Sequence, residues 1–138
     1  MRILAIDHGT QRMGIAVTDE LGVIAQPLAF IPAEPLADFF ERLRELVRAK
    51  DVGLIVVGMP RNMDGGYGPA ADKVGVFVEQ LRQQVEAPVR TWDERLTSVQ
   101  AHRALREANV KGKRRKETID STAAALLLQS YLDSGATV

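Results

Sequence analysis

Three acidic residues carry the pattern most able to do chemistry. Asp7 ends the apolar run Ile3-Leu4-Ala5-Ile6 and is followed by His8-Gly9-Thr10. An acid at the carboxyl end of a central strand lies where open α/β sheets place their ligand crevice. Gly9 beside it lets a backbone turn close under a phosphate or a metal. Glu94 lies in Trp92-Asp93-Glu94-Arg95-Leu96-Thr97-Ser98, at the end of a strand-like run and just before a capped helix. Asp120 lies in Thr118-Ile119-Asp120-Ser121-Thr122-Ala123-Ala124, in the first turn of a final helix. Each has an ordinary explanation: Asp7 can cap its own turn, and Glu94 and Asp120 can answer a helix dipole. Asp120, however, shares a helical stripe with Ala124 and Leu127, and an acid on an apolar stripe is costly to bury unless a cation or a hydrogen-bond network receives it. Taken together, the three converge on one crevice. Their mutual repulsion would raise their pKa values unless a cation held them. An all-oxygen donor set suits Mg²⁺ or Mn²⁺ rather than zinc. Two such ions about 4 Å apart would activate a water and stabilise the leaving oxygen in phosphodiester cleavage.

The elements that must position these acids follow from periodicity. Ile3–Asp7, Arg12–Thr18 and Val23–Ile31 read as three strands, with Asp19-Glu20-Leu21-Gly22 as the turn joining the second and third. Pro35 fits the first turn of an amphipathic helix whose apolar face is Phe39, Leu43, Leu46 and Val47. Val52–Val57 is a buried strand that runs into the glycine-rich segment from Gly58 to Gly66. Pro69 opens a second helix, and Pro88 stops it and begins a strand through Val89 and Trp92. Thr97 with Gln100 is a capping-box pattern for a third helix, and a last helix is predicted from about Thr118 to Leu132. The order β-β-β-α-β-α-β-α-α predicts an α/β fold. An antiparallel β1-β2-β3 meander joins two parallel strands in a five-stranded mixed sheet, with helices on both faces. Without repeats or linkers, 138 residues are expected to form one domain, and no repeat or linker is visible.

Composition excludes several functions. The chain has no cysteine, hence no disulfide framework, zinc-thiolate site or thiol nucleophile. Asp7 interrupts the amino-terminal apolar run too early for a secretory signal, and no apolar stretch approaches the roughly 18 residues of a membrane span; a cytoplasmic protein without membrane contact is expected. Eighteen Lys and Arg balance eighteen Asp and Glu, so net charge does not announce a nucleic-acid partner. The distribution says more: Lys111, Lys113, Arg114, Arg115 and Lys116 form a basic run just before Asp120, which reads either as an ordinary solvated loop or as a segment placed to bind phosphates by counterion release. The segment from Gly58 to Gly66 lacks the Gly-Lys-Thr ending of a P-loop, but Arg61 and Asn62 are donors able to meet a backbone phosphate. His8 and His102 have no recognised metal spacing, and His8 reads equally as a solvated turn residue or a phosphate contact. No serine has a partnered His–acid arrangement. Trp92 reads as core rather than as a base-stacking platform.

Four segments in order carry a family resemblance. Ala5-Ile6-Asp7-His8-Gly9-Thr10-Gln11-Arg12-Met13-Gly14 resembles the opening motif of the YqgF/RuvX family of RNase H-like proteins. Val56-Val57-Gly58-Met59-Pro60-Arg61-Asn62-Met63-Asp64-Gly65 resembles its second motif, Asp93-Glu94-Arg95-Leu96-Thr97-Ser98 its third, and Ile119-Asp120-Ser121-Thr122-Ala123-Ala124 its last. The resemblance implies an acidic triad at Asp7, Glu94 and Asp120. It adds Thr10, Arg12 and Arg95 to Gly9, Arg61, Asn62 and the basic run as substrate contacts. It further implies a metal-dependent nuclease that matures the 5′ end of pre-16S rRNA, resolves Holliday junctions, or does both. Symmetric cleavage of a junction would call for a twofold homodimer. In wider RNase H-like nucleases the second acid comes from the strand beside the first. Here that strand ends in Gly58-Met59-Pro60, and the acid arrives one strand later as Glu94. Two other functions fit parts of the pattern. One is a non-catalytic RNA-binding or ribosome-assembly factor. The other is an ATP-binding fragment of actin or sugar-kinase type, whose first phosphate loop also resembles residues 7–10.

Overall fold

A computed structural model describes residues 1–60, 68–93 and 115–135, with side chains in the last segment from residue 122 onward. Five strands and three helices are found among these residues. In order they are β1 (Arg2–Asp7), β2 (Arg12–Thr18), β3 (Ala25–Pro32), α1 (Leu36–Ala49), β4 (Val52–Met59), α2 (Pro69–Gln84), β5 (Val89–Asp93) and α3 (Arg115–Asp133). They build one sheet in the order β3-β2-β1-β4-β5. The β1–β2 and β2–β3 pairs are antiparallel, and β1–β4 and β4–β5 are parallel. This is the mixed sheet expected from the element order.

The period of two along each strand divides the core into two layers. Leu4 and Ile6 of β1 face α1 and α2, where they join Ile15, Ile55, Val57, Phe39, Leu43, Phe77 and Leu81 in one buried cluster. The alternate residues face α3. Ala5 of β1 pairs with Ala16 of β2, and both meet Ala124, Ala125, Leu127 and Leu128 of α3. Alanine on both sides of this contact lets the helix lie close to the strands. Farther along, Tyr131 packs on Leu54 and Val56 of β4.

Polar contacts fix the helix at its carboxyl-terminal half. The Ala25 N–H donates to Gln129 Oε1 at 3.0 Å, and Gln129 Nε2 donates to the Val23 carbonyl at 3.3 Å. On the other side, Trp92 Nε1 donates to Ser130 Oγ at 3.4 Å. The indole meets the Tyr131 ring edge-on, with centroids 5.1 Å apart. Trp92 is therefore a core contact, as its sequence context suggested. Thr18, fully buried, accepts a hydrogen bond from the Ile3 N–H at 3.0 Å, so its burial leaves no orphaned hydroxyl.

Several element boundaries differ from the sequence expectation. The third strand starts at Ala25, not Val23. Val23 and Ile24 belong to the preceding turn, where their N–H groups donate to Asp19 Oδ1 at 2.8 and 3.3 Å. Gly22 supplies the positive φ of 72° that closes this turn. Those backbone donors hold the Asp19 carboxyl below its ordinary value. Pro35 stands just before α1 in extended backbone rather than inside its first turn, whereas Pro69 does begin α2. The final helix begins at Arg115, three residues before the expected Thr118, so Arg115 and Lys116 are helical and Asp120 is its sixth residue, past the first turn in which it was expected. The helix expected after Thr97 and most of the basic run lie outside the described residues. Among those described, no helix is long and apolar enough to cross a membrane.

The alanine contact generates a stability prediction. Ala124→Leu forces extra volume into the layer between α3 and the paired Ala5 and Ala16, and overpacking of this kind costs about 1–3 kcal/mol. Denaturant unfolding should show that loss, whereas the same change at exposed Ala49, the last residue of α1, should leave the midpoint nearly unchanged.

Candidate functional site at the carboxyl edge of the sheet

Asp7 is the last residue of the central strand and pairs with Gly14 across β2. Strand alternation puts it on the same face as Ile3 and Ala5, the face covered by α3. The direction of α3 follows from its contacts. Gln129 is tied to Ala25, which pairs with Thr18, whose hydroxyl receives the Ile3 N–H; all four stand at the amino end of β1. Ala124 and Ala125 pack at the level of Ala5, midway along it. Going back from Gln129 to Asp120 covers nine residues, about 13 Å of helix at about 1.5 Å per residue. Going from Ile3 to Asp7 covers four residues of strand, again about 13 Å. The backbone of Asp120 is thus carried toward the edge where Asp7 ends β1.

The remaining predicted site residues divide by position. Glu94 directly follows Asp93, the last residue of β5, which pairs with Met59 of β4. Glu94, Arg95, Arg61, Asn62, Lys111, Lys113 and Arg114 lie outside the described residues. Of Arg115, Lys116 and Asp120 the helical backbone alone is described. Among the described residues no three His, Cys, Asp or Glu side chains converge on one point. Of the three expected acids, Asp7 is the one whose side chain is described, and it is half-buried at the strand end. Three carboxylates around such a position would fit a hard cation, whose ligands are oxygens.

The turn after Asp7 has a tighter structural purpose than sequence suggested. A Cβ on Gly9 would collide with the carbonyl oxygen of Arg12, so the chain's own hairpin already requires glycine here. Thr10 follows it at the surface. Arg12 begins β2, and its guanidinium lies over the Phe30 ring, 4.9 Å from the centroid. His8 alternates to the opposite face, where its ring packs on Phe77 with centroids 5.0 Å apart. It is half-buried, not simply a solvated turn residue. Burial lowers its pKa below 6.5, and the nearby Lys73 ammonium lowers it further, so the ring is neutral at neutral pH. Lys73 went unnoticed in the sequence because an exposed lysine on an amphipathic helix carries no signal of its own. Folding brings it to a crevice of about 340 Å³ at the strand ends, bounded also by Asp7, Thr10, Gly58, Pro60 and Pro69.

A mixed sheet in this order, with an acid ending its central strand and helices on both faces, defines an RNase H-like fold of the resolvase type. Thermus thermophilus RuvC superposes with a TM-score of 0.62 at 15% identity, covering 98% of this chain and 97% of that one. The T. thermophilus RuvC complex with a Holliday junction substrate gives 0.60 at 18% identity, and a fowlpox virus resolvase bound to junction DNA gives 0.56 at 12%. At these identities the likeness concerns the fold. Membership is shown by sequence: the chain belongs to the RuvX family, whose model, described as Holliday junction resolvase, matches residues 1–134. A Thermoanaerobacter pseudethanolicus relative is 45% identical over 135 residues, covering 97% of each chain. A Moorella thermoacetica relative is 47% identical over 133 residues, covering 96% of this chain and 95% of its own. Both are named as candidate pre-16S rRNA nucleases.

Replacing Gly9 tests how far the turn positions the strand end. Gly9→Ala is expected to lower thermal stability and to perturb the amide resonances of Asp7 and Arg12 together. Gly75→Ala, on α2 with open space at its Cβ, should do neither.

Proposed function

We propose that this chain is a divalent-metal-dependent nuclease that hydrolyses nucleic-acid phosphodiesters, with the whole chain acting as one nuclease domain. The observation that carries this reading is the half-buried Asp7 at the end of the central strand, on the face toward which α3 brings Asp120. Membership of a family described as Holliday junction resolvase, and relatives named for pre-16S rRNA cleavage, support it. The substrate we favour is the precursor of 16S rRNA, because both near relatives carry that name. A branched DNA junction is the alternative, and it would require a homodimer.

In this reading Asp7, Glu94 and Asp120 hold Mg²⁺ or Mn²⁺ through carboxylate oxygens. When bound, such ions supply an activated water and neutralise charge on the leaving oxygen. The chain's own task is to hold three like charges at one edge against their repulsion, and the packing of α3 on Ala5 and Ala16 contributes by directing the backbone of Asp120 toward that edge. Gly9 shapes the turn, while Thr10, Arg12, Arg61, Asn62 and Arg95 contact the substrate. Lys111, Lys113, Arg114, Arg115 and Lys116 neutralise phosphates, and since Lys and Arg stay protonated at neutral pH they offer no general base.

Asp7→Asn should abolish cleavage of both RNA and junction substrates while leaving the unfolding midpoint nearly unchanged or slightly raised, because one member of a repelling set is neutralised. Cleavage by wild-type protein should also stop in excess chelator and return with Mg²⁺ or Mn²⁺. Undiminished cleavage by the variant, or in chelator, would exclude the mechanism. Wild-type protein that binds RNA but cleaves no substrate with either metal would instead point to an assembly factor.

The basic run has its own signature. Replacing Lys113, Arg114 and Arg115 by Ala should weaken binding alike across sequences and flatten the slope of log affinity against log salt by about one per lost contact. The cleavage rate at saturating substrate should be largely retained. Unchanged affinity and salt slope would show the run to be ordinary solvated surface.

A further inference from the structure

Beside the crevice at the strand ends lies a second cavity of about 360 Å³, on the side of the sheet covered by α1 and α2. The two are adjacent: His8, Thr10 and Lys73 line both, so the Asp7 crevice and the second cavity meet at these three residues. The second cavity is lined differently. Met13, Ala33, Leu36, Val76 and Phe77 give it an apolar wall, and Val76 is 61% exposed although it lies on the helix that packs the core. Its polar rim is Glu34, Gln80 and the shared Lys73. Nothing in the triad chemistry uses this cavity.

Resting on the nuclease reading, we infer that this cavity receives the unpaired base of a nucleotide next to the scissile phosphate, with Lys73 and Thr10 holding the intervening phosphate. A flat, amphipathic base matches an apolar wall with a few polar groups at its rim. Stacking and apolar contact with single-stranded bases are sequence-tolerant, because every base presents a π-face. The half-buried His8 ring, already seated on Phe77, offers such a surface at the junction of the two cavities. Charge sets the polarity of the strand. Lys73 stands at the shared boundary and Glu34 on the far rim. A phosphate is therefore attracted to the boundary and repelled from the far side, where an acceptor-only carboxylate instead suits the exocyclic amine of a base. Such a pocket requires a base that is free of its partner strand, which selects single-stranded or unstacked positions over intact duplex.

The inference is tested by binding alone, so that its failure is separable from failure of the nuclease reading. Fluorescence anisotropy in excess chelator would compare a labelled short single-stranded oligonucleotide with an all-abasic chain of the same length, in both ribose and deoxyribose forms. Wild-type protein should bind the base-bearing chain about tenfold more tightly in at least one sugar form. Val76→Gln, neutral and on the helix surface, should remove most of that preference while leaving affinity for the abasic chain unchanged. Lys73→Ala should weaken both chains alike and reduce the salt slope by about one. A preference confined to one sugar form would identify the nucleic acid. Equal binding of base-bearing and abasic chains by wild-type protein, or a full preference retained by Val76→Gln, would overturn the inference. Cleavage measured separately with Mg²⁺ or Mn²⁺ then reports on the nuclease reading by itself.

Discussion

The close contact of α3 with the middle of the sheet is the constraint on which the rest depends. Ala5 and Ala16, paired across β1 and β2, present almost no side chain to the helix, and Ala124 and Ala125 answer them. Larger residues on either side would lift the helix away. With the contact in place, Gln129 at one end and the alanines in the middle fix both the depth and the direction of α3. Its amino-terminal turns are then directed to the edge where β1 ends. A chain that had only to bury apolar area could have used leucine at these positions; alanine favours approach over area.

The same sheet keeps two kinds of chemistry apart. Alternation along β1 sends Asp7 to the α3 face and His8 to the opposite one, although they are neighbours in sequence. The acid remains at an edge shared with a helix that carries a second acid. The imidazole settles on Phe77, where burial and Lys73 both oppose its protonation. The crevice beside Asp7 and the more apolar cavity beyond it thus meet at one strand end, where His8, Thr10 and Lys73 line both.

Most of the sheet was legible because its signals are local. Apolar runs, the turn at Asp19 to Gly22 and the prolines at 69 and 88 punctuate the chain wherever the structure does. The errors also have local causes. Val23 and Ile24 are β-branched and extend an apolar pattern, but the Asp19 carboxylate captures their amides and delays the strand. Arg115 and Lys116 precede the helix expected from Thr118 because they belong to a charge run, yet both are good helix formers and α3 includes them. Asp7 could be placed because it ends a strand. Lys73 could not: its importance comes from a crossover that returns α2 to the end of β1, which no spacing along the sequence reveals. The need for glycine at position 9 was visible, but the close approach of the Arg12 carbonyl was not, since it arises only when the hairpin forms.

The central claim is that Asp7 at the strand end and Asp120 in the amino-terminal part of α3 form one cation site. Paramagnetic broadening by Mn²⁺, followed through backbone amides and the Trp92 indole of the full chain, locates such a site without reference to activity. The account predicts that substoichiometric Mn²⁺ broadens Asp7, His8, Gly58 and the amides around Asp120 first. Asp51 and Ala25, at the opposite edge of the sheet, should stay sharp, and Asp7→Asn should abolish the selectivity. Broadening centred elsewhere, or an unchanged pattern in Asp7→Asn, would contradict it.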